Sequence, residues 1–317
     1  YMIKDKQLKL RLKRNKERRI QRENREIKRK EKRGKRDENE KKIKIALLFF
    51  GITRSLKYTI DSIKTNIFNV FEENDVIYDI FMHTYSLDNY VNTRTGEISN
   101  DVDNNEYKLL NPDYIQVDSQ EIIKKKINPK LYRTWVDVYK SNYLCVDNLL
   151  LGHYSKLQLV KMVEKSKKTY NYIIFLRPDV QYLNRFNMNF ISYVSNQTIC
   201  IPNFHLYHLG VHSKWRKISS NEIWDGSGRG EGTESKFNDR FCITNMKTYK
   251  IYGNTFKKIL DISKKMPLHS ESIIYNIISS YDLKFVKIPF IFKRIRCNGQ
   301  VARQDRKLHL KLTILDN

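Results

Sequence analysis

Two short runs of almost wholly apolar residues limit the fold of this chain most. Residues 42–50, KIKIALLFF, end at Gly51, and residues 170–176, YNYIIFL, end at Arg177. Runs of this length without polar and apolar alternation are typical of strands that are buried on both faces. Such strands occur in parallel sheets that are covered by helices on each side. The sequence therefore predicts an α/β fold.

The spacing around these runs predicts alternating strands and helices. Residues 55–74 carry apolar side chains at helical spacing and lie between the first run and a second apolar stretch at 76–85, which makes a βαβ unit. This alternation favours a mostly parallel sheet with helices on both faces. We predict further strands at 113–119, 197–202, 240–244 and 283–290, a polar loop at 86–112, and helices near 119–128, 134–168 with a break at Gly152, 246–264 and 270–280.

The positive charge is concentrated at the N-terminus. The chain has a net charge of +25, and residues 1–44 hold 21 of the 60 Lys and Arg but 8 of the 35 Asp and Glu. Residues 1–42 lack an apolar face and are predicted to form a charged arm, helical or disordered, before a folded domain at 43–317. The arm is either a solvated tail or a segment that contacts RNA or an anionic membrane weakly.

Cysteine spacing and hydropathy predict a location. Cys145, Cys200, Cys242 and Cys297 lie far apart and show no C-x-x-C spacing, which favours free thiols in a reducing compartment. No stretch of 18 apolar residues is present, so no transmembrane segment is expected. These features together predict a cytoplasmic protein.

Two strand ends carry the first candidate site residues. In open α/β sheets, ligands bind at the carboxyl ends of the strands. Gly51 and Arg54 follow the first strand, where glycine permits close approach of a ligand and arginine can bind phosphate. Arg177 and Asp179 follow the most apolar strand, where a carboxylate is well placed to bind a divalent cation. The turn after the first strand matches neither G-x-G-x-x-G nor the P-loop, which argues against dinucleotide oxidoreductases and NTPases.

Two later clusters add candidate residues. Asp239 and Arg240 precede a short apolar strand, and His269 and Glu271 open a helix that Ser270 is suited to cap. Glu271 has two interpretations, one as a favourable charge at a helix N-terminus and one as an acid/base group facing a hydroxyl. His83 at a strand end is either packed or a ligand. The glycine-rich stretch 226–232 is predicted to be a flexible loop, such as a lid.

The order of these motifs resembles a known group of enzymes. FFGITRS, IFMHTY, YNYIIFLRPDV, FNDRFCIT and HSESIIYNII occur in the order of GT-A-like glycosyltransferases of large DNA viruses and bacterial polysaccharide clusters. The resemblance covers about residues 43–296. It implies a GT-A-like, Rossmann-like domain that transfers a sugar, as hexosyltransferases do, from a nucleotide sugar to a hydroxyl of a glycan or glycoprotein. A viral member of this group would act in the host cytoplasm or the virus factory.

The resemblance also implies roles for individual residues. Gly51 and Arg54 would belong to the nucleotide pocket, and Asp179 would be the metal-binding carboxylate of a D-x-D-like element. The resemblance therefore implies Mn²⁺ or Mg²⁺ as a cofactor. Arg177 stands where that element usually has its first acid, and it could itself neutralise the charge of the diphosphate. The remaining candidates lie on the sugar or acceptor side: Arg240 as a binding residue, Asp239 and Glu271 as candidate catalytic bases, and His269 as a second candidate metal ligand.

Three alternatives differ in class. The first is a nucleic-acid-binding protein that uses the basic arm, although the arm lacks the aromatic residues on which bases stack. The second is a methyltransferase, whose glycine-rich first loop is missing here. The third is a GT-A fold that binds a sugar nucleotide without turning it over, which the arginine at position 177 keeps open.

Overall fold

The computed structural model describes residues 42–92, 95–100, 102–207, 209, 215–220, 222–226 and 236–308. The chain divides between Ile43 and Lys44 into two units, and all elements below belong to the second. The predicted arm at 1–42 lies outside the described residues except for Lys42, and most of the predicted glycine-rich loop lies outside them as well.

Eleven strands form the β-structure of the described residues. In chain order they are β1 (Lys44–Phe50), β2 (Ile77–Ser86), β3 (Tyr90–Asn92), β4 (Glu97–Ser99), β5 (Tyr114–Ser119), β6 (Tyr172–Leu176), β7 (Val180–Tyr182), β8 (Thr198–Pro202), β9 (Cys242–Thr244), β10 (Lys284–Ile288) and β11 (Phe292–Arg294). Seven of them make one central sheet, and the pairs β3–β4 and β7–β11 are small antiparallel ribbons.

The central sheet has the order β10-β8-β9-β6-β1-β2-β5. β1 is parallel to β2 and β6, β2 is parallel to β5, and β8 is parallel to β10. β9 is antiparallel to both β6 and β8. All seven predicted strands lie in this sheet, and the predicted fold class, an α/β domain with a mostly parallel Rossmann-like sheet, is confirmed.

Helices flank the sheet. They are α1 (Leu56–Ile63), which continues through a π-helical turn (Lys64–Phe68) into α2 (Asn69–Glu73), then α3 (Gln120–Ile127), α4 (Leu144–Ser166), α5 (Tyr249–Gly253), α6 (Phe256–Ser263) and α7 (Ser270–Ser279). None of the helices in the described part of the chain has the length and apolar character needed to cross a membrane.

Burial on both faces explains the apolar sequence of β1. Its residues Ile45 to Phe49 are all completely buried. Ala46 and Leu48 pack in a cluster with Leu159 and Val160 of α4. Full burial of each large aliphatic side chain contributes about 1.5–3 kcal/mol, so β1 anchors the sheet.

The predicted helix at 134–168 with a break at Gly152 is wrong in both respects. α4 begins at Leu144 and runs through Gly152 without interruption. A glycine inside a helix costs about 1 kcal/mol relative to alanine, and burial of the neighbouring Leu150 and Leu151 outweighs that cost. Residues 134–143 turn instead, because the Asp137 carboxylate accepts hydrogen bonds from backbone N–H groups that follow it.

The predicted polar loop at 86–112 contains local structure. It holds the β3–β4 ribbon and a 3₁₀ turn at Glu106–Leu110. The carboxylate of Glu106 accepts a hydrogen bond of 2.9 Å from the backbone N–H of Leu56 at the start of α1. The segment is therefore fastened to the end of the sheet that carries the candidate residues.

Gly253 at the end of α5 offers a test of the packing between α5, α4 and β6. A Cβ atom there would lie 2.3 Å from Cγ2 of Val160 and 3.0 Å from Cζ of Phe175, both of which are buried. We expect Gly253→Ala to lower the free energy of unfolding by about 1–3 kcal/mol because the core has no room for it. Urea unfolding of the full chain measures this.

Gly152→Ala is the matched control. A Cβ at Gly152 meets nothing within 4 Å, so alanine gains helix propensity without a clash. This variant is expected to be about 0.5–1 kcal/mol more stable than the wild type. Equal effects of the two substitutions would contradict the described packing of α5.

Candidate functional site

A large cavity lies at the carboxyl end of the central strands. The strand order reverses between β1 and β6, and such a switch point is where open α/β sheets bind ligands. The cavity has a volume of about 980 Å³, the size of a nucleotide or cofactor site. Seven of the eight predicted site residues line it, namely Gly51, Arg54, Arg177, Asp239, Arg240, His269 and Glu271.

The cavity wall is strongly basic. Three acidic side chains line it, those of Glu97, Asp239 and Glu271. A concave surface with such an excess of one charge attracts ligands of the opposite charge, so the cavity favours anions. The basic side chains of the lining are Arg54, Lys156, Arg177, Arg240, Arg294, Arg296, Arg303 and Arg306.

Asp179, the eighth predicted residue, lies behind the wall and is 1% exposed. Arg177 binds both of its oxygens, with Nε 2.7 Å from Oδ1 and Nη2 2.6 Å from Oδ2, and Nη2 of Arg54 lies 3.4 Å from Oδ2. Burial alone would raise the pKa of Asp179, but the Arg177 guanidinium holds it well below its usual range. Asp179 therefore fixes the orientation of two cavity arginines.

The described residues do not fit a divalent cation at Asp179. An ion there would have to displace Arg177 and Arg54 from the carboxylate that binds them. His269, the other predicted ligand, is the N-cap of α7, where Nδ1 accepts from the Ser272 backbone N–H and Nε2 lies 3.4 Å from Glu271. Ser270, which the sequence suggested as the cap, is the first residue of the helix instead. Within the described ranges no group of three or more His, Cys, Asp or Glu is arranged to hold a metal.

Glu97 anchors another part of the basic wall. Its Oε2 lies 2.8 Å from Nη1 of Arg296 and its Oε1 lies 3.5 Å from Nε of Arg54. The Arg54 guanidinium also stacks over the Tyr90 ring, 4.5 Å from its centroid. Arg54 is thus held by two carboxylates and an aromatic face, with little freedom left to lose when an anion binds.

Three further cavity residues, Glu97, Arg294 and Arg296, were not predicted from the sequence. Glu97 lies in a polar segment without periodicity, and nothing in the sequence marks it. Arg294 and Arg296 do carry a signal, because alternate residues of an extended segment project to the same side. Two arginines at that spacing around β11 therefore predict one basic face.

Lys156 is another cavity residue that was not predicted from the sequence. It is 2% exposed in the middle of α4, and its Nζ donates hydrogen bonds to the Asp239 carbonyl oxygen at 3.1 Å and to the Tyr252 hydroxyl at 3.3 Å. Burial lowers its pKa to about 8. The sequence does carry a signal, because Lys156 is the only Asp, Glu, Lys or Arg in the segment 150–160. Lysine is almost never fully buried unless it is paired, so a lysine in such a segment indicates a buried polar partner.

The acidic side of the cavity contains Asp239 and Glu271. Asp239 precedes β9, and its Oδ2 accepts a hydrogen bond from the Ser270 hydroxyl, which in turn lies 3.0 Å from Nε2 of His153. Burial would raise the pKa of Asp239, but Lys156 and Arg240 lower it well below its usual range. Asp239 therefore remains a carboxylate at neutral pH.

Glu271 differs from Asp239 in its proton affinity. It is 9% exposed, and burial together with the negative charge of Asp239 raises its pKa from 4.5 to about 7. Two acids with separated pKa values are the pattern by which one acquires a proton-transfer role. Of the two predicted bases, Glu271 is the one whose proton affinity suits exchange near neutral pH.

His83 supports the site from outside the cavity lining. Its Nδ1 lies 2.8 Å from the Ser155 hydroxyl oxygen and its Nε2 lies 3.1 Å from Asp118. Ser155 also accepts a hydrogen bond of 3.0 Å from the backbone N–H of Gly51, whose φ of +103° is a conformation that favours glycine. His83 was predicted to be either a packed residue or a ligand of the site. It is packed, and through Ser155 it supports the turn after β1.

No known family matches the chain, and no curated protein is significantly similar to it. The roles of the site residues are therefore argued from the geometry and chemistry of the cavity alone.

Replacing Asp179 tests its role as the anchor of two arginines. We expect Asp179→Asn to lower the free energy of unfolding by about 3 kcal/mol, because it leaves the positive charges of Arg177 and Arg54 without their carboxylate. Urea unfolding at neutral pH measures the loss. Glu121→Gln, which breaks the exposed pair with Lys125, is the control and should cause no measurable change. An equally small effect at Asp179 would rule out the anchoring role.

The pKa of Glu271 predicts a pH dependence of stability. Because the folded state raises this pKa from 4.5 to about 7, the folded chain retains a proton in that window that the unfolded chain releases. The contribution of Glu271 to stability therefore falls as the pH rises from about 4.5 to 7. Glu271→Gln removes this fall, so the variant should gain on the order of 2 kcal/mol over the wild type between pH 5 and pH 8.

Thermal or urea unfolding of both proteins at the two pH values measures this gain. Asp239 does not contribute to it, because its lowered pKa lies below the window. A stability difference between variant and wild type that is the same at pH 5 and pH 8 would mean that Glu271 titrates in the folded chain as it does in the unfolded one.

Proposed function

We propose that the protein is a GT-A-like glycosyltransferase that transfers a sugar from a nucleotide sugar to a hydroxyl of a glycan or glycoprotein. One observation carries the proposal: a basic cavity of about 980 Å³ at the switch point of the sheet has arginines held on carboxylates beside the buried acid Glu271. This combination suits a reaction in which a diphosphate leaves and a hydroxyl loses a proton.

The strand order supports a nucleotide as the ligand. β5, β2, β1 and β6 follow one another across the central sheet, and among the strands of that sheet they are the third, second, first and fourth in chain order. This is the order of the first four strands in doubly wound folds that bind nucleotides at the same crevice. The turns after β1 and β6 supply Arg54 and Arg177 to that crevice.

The arginines suit the departing diphosphate. Arg54, Arg177 and Arg296 are each held by a carboxylate before any ligand arrives. Donors that are oriented in advance stabilise developing negative charge without reorganisation, which is the largest contribution in many enzymes. The guanidinium group also fits phosphate oxygens in pairs. In this proposal the arginines stabilise the negative charge of the departing diphosphate. Ligand binding that requires Mn²⁺ in the experiment below would assign part of this role to a divalent cation.

Glu271 suits the acceptor. The bond between the anomeric carbon and the diphosphate oxygen breaks, and its electron pair stays with the nucleoside diphosphate. The acceptor oxygen bonds to the anomeric carbon, and its proton passes to the Glu271 carboxylate. With a pKa of about 7, Glu271 is a stronger base than an ordinary glutamate and is still largely ionised above neutral pH.

Ligand-induced stabilisation of the full chain tests the binding half of the proposal. UDP, GDP, CDP and their sugar conjugates are compared, each with and without Mn²⁺, and a ligand that binds the folded state raises the melting temperature. We expect one nucleotide to stabilise the wild type and to lose most of this effect in Arg177→Gln. The control is Arg185→Gln, which breaks an exposed ion pair with Glu73 and should respond like the wild type.

Release of nucleoside diphosphate from the stabilising sugar nucleotide tests the catalytic half. Glu271→Gln should bind this donor but release its diphosphate about 100-fold more slowly, since general-base catalysis contributes about that much. Binding without release by the wild type, over a panel of glycan acceptors, would favour the non-catalytic sugar-nucleotide-binding alternative. No stabilisation by any nucleotide would refute the proposal, and RNA binding by the full chain would then be the next measurement.

A further inference from the structure

Arg240 is a buried cavity arginine that combines, within the described ranges, an unsatisfied donor with the lack of a carboxylate partner. It is 7% exposed, it lines the cavity, and its Nη1 atom is buried without a hydrogen-bond partner among the described residues. Nε of Arg54 also lacks a hydrogen bond, but Arg54 is paired with Asp179 and Glu97. A buried donor without a partner destabilises the folded chain, and more so when it is charged. Such an atom in a cavity wall indicates a place where a ligand supplies the acceptor.

Arg303 and Arg306 of the wall are exposed, and the four remaining arginines differ from Arg240 because each has a carboxylate partner. Arg54 and Arg177 contact Asp179, Arg296 contacts Glu97, and Arg294 contacts Asp305 with Nη2 2.8 Å from Oδ1. In the described part of the chain, no carboxylate lies within ion-pair distance of the Arg240 guanidinium. Its closest ring contact is Tyr207, with the guanidinium carbon 5.7 Å from the centroid.

The position of Arg240 is nevertheless well defined. Its backbone N–H donates to Oδ1 of Asn238 at 3.0 Å, and Nδ2 of Asn238 donates to the Phe204 carbonyl at 2.8 Å. The residue lies two positions before β9, which pairs with β6 and β8 inside the sheet. The guanidinium is therefore presented by a rigid backbone and is prepared to bind an anion.

Arg240 lies among groups of both charges, and it forms an ion pair with none of them in the described part of the chain. Its charged neighbours are Arg294, Asp239, Glu271 and Asp305. Asp305 is matched by Arg294, and Asp239 lies beside Lys156. Arg240 also interacts electrostatically with Glu271, the group that receives the acceptor proton in the proposed reaction, so the two lie on the same side of the cavity.

We infer that Arg240 forms an anion subsite for the acceptor, so the acceptor carries a carboxylate or a phosphate close to the hydroxyl that is glycosylated. This inference rests on the proposed function, which assigns the Glu271 side of the cavity to the acceptor. The diphosphate occupies the arginines on Asp179 and Glu97, and the acceptor anion occupies Arg240. A uronic acid and a sugar phosphate both offer the oxyanion that such a subsite binds.

Binding of simple sugars to the full chain tests the subsite. Glucuronate, glucose 6-phosphate and glucose are titrated by ligand-observed NMR in the presence of saturating inorganic pyrophosphate, which keeps the diphosphate arginines occupied. We expect the wild type to bind at least one anionic sugar about tenfold more tightly than glucose, as one charge-assisted hydrogen bond allows. The better of the two anions tells whether the subsite prefers a carboxylate or a phosphate.

Variants separate the two subsites. Arg240→Gln should bind the anionic sugar as weakly as glucose while it still binds pyrophosphate, and Arg177→Gln should show the reverse pattern. Arg240→Lys keeps the charge but not the planar fork, so it should lie between the wild type and Arg240→Gln. If Arg240→Gln does not fold, the comparison of Arg240→Lys with the wild type still tests the subsite.

Several outcomes overturn the inference. They are equal binding of glucose and both anionic sugars by the wild type, no binding of either anionic sugar, and loss of pyrophosphate binding together with anionic sugar binding in Arg240→Gln. Failure of the wild type to bind pyrophosphate is a different result. It counts against the proposed diphosphate site, and the comparison of anionic with neutral sugars, repeated without pyrophosphate, still decides the role of Arg240.

Discussion

The bidentate contact between Arg177 and Asp179 is the interaction on which the cavity depends. It forms within three residues directly after β6, the strand at the switch point of the sheet, and the Thr59 hydroxyl of α1 binds the Pro178 carbonyl between them at 2.6 Å. The buried carboxylate of Asp179 reduces the electrostatic repulsion between two guanidinium groups at the base of one cavity, because its negative charge lies between them before a ligand arrives. The turn after β6 and the turn after β1 are joined by the same contact through Arg54.

The two sides of the cavity are built by different physical means. On one side, Arg177 and Arg296 are each paired with a buried carboxylate that also contacts Arg54, so the geometry of the arginines is set in advance. On the other side, Asp239 and Glu271 are buried close enough to repel each other, and Lys156 compensates mainly for Asp239. The first arrangement favours binding of an anion, and the second leaves one acid with a proton affinity that suits transfer near neutral pH.

Much of the fold could be predicted because a strand that is buried on both faces has a short apolar sequence that can be recognised without knowledge of distant residues. β1 and β6 are apolar on both faces, and residues that follow such strands, Arg54 and Arg177, were expected at the cavity. What could not be predicted depends on contacts across the chain. Glu97 is buried by Arg296, about 200 residues later in the sequence, and Asp179 looked like a metal ligand because its arginine partners are visible only in the folded chain. Gly152 was expected to break α4, yet packing outweighed its low helix propensity.

The antiparallel insertion of β9 has a consequence for how the chain reaches this structure. When residues up to β8 have been synthesised, β6 has β1 on one side and nothing on the other, because its second neighbour is β9 at Cys242–Thr244. The most apolar strand of the chain is then an unprotected edge, which is the kind of surface on which chains associate wrongly. Asp239, the first residue of the acidic side of the cavity in chain order, arrives with the same segment that covers this edge, and Glu271 follows on α7. Protection of the nascent sheet therefore precedes completion of the site.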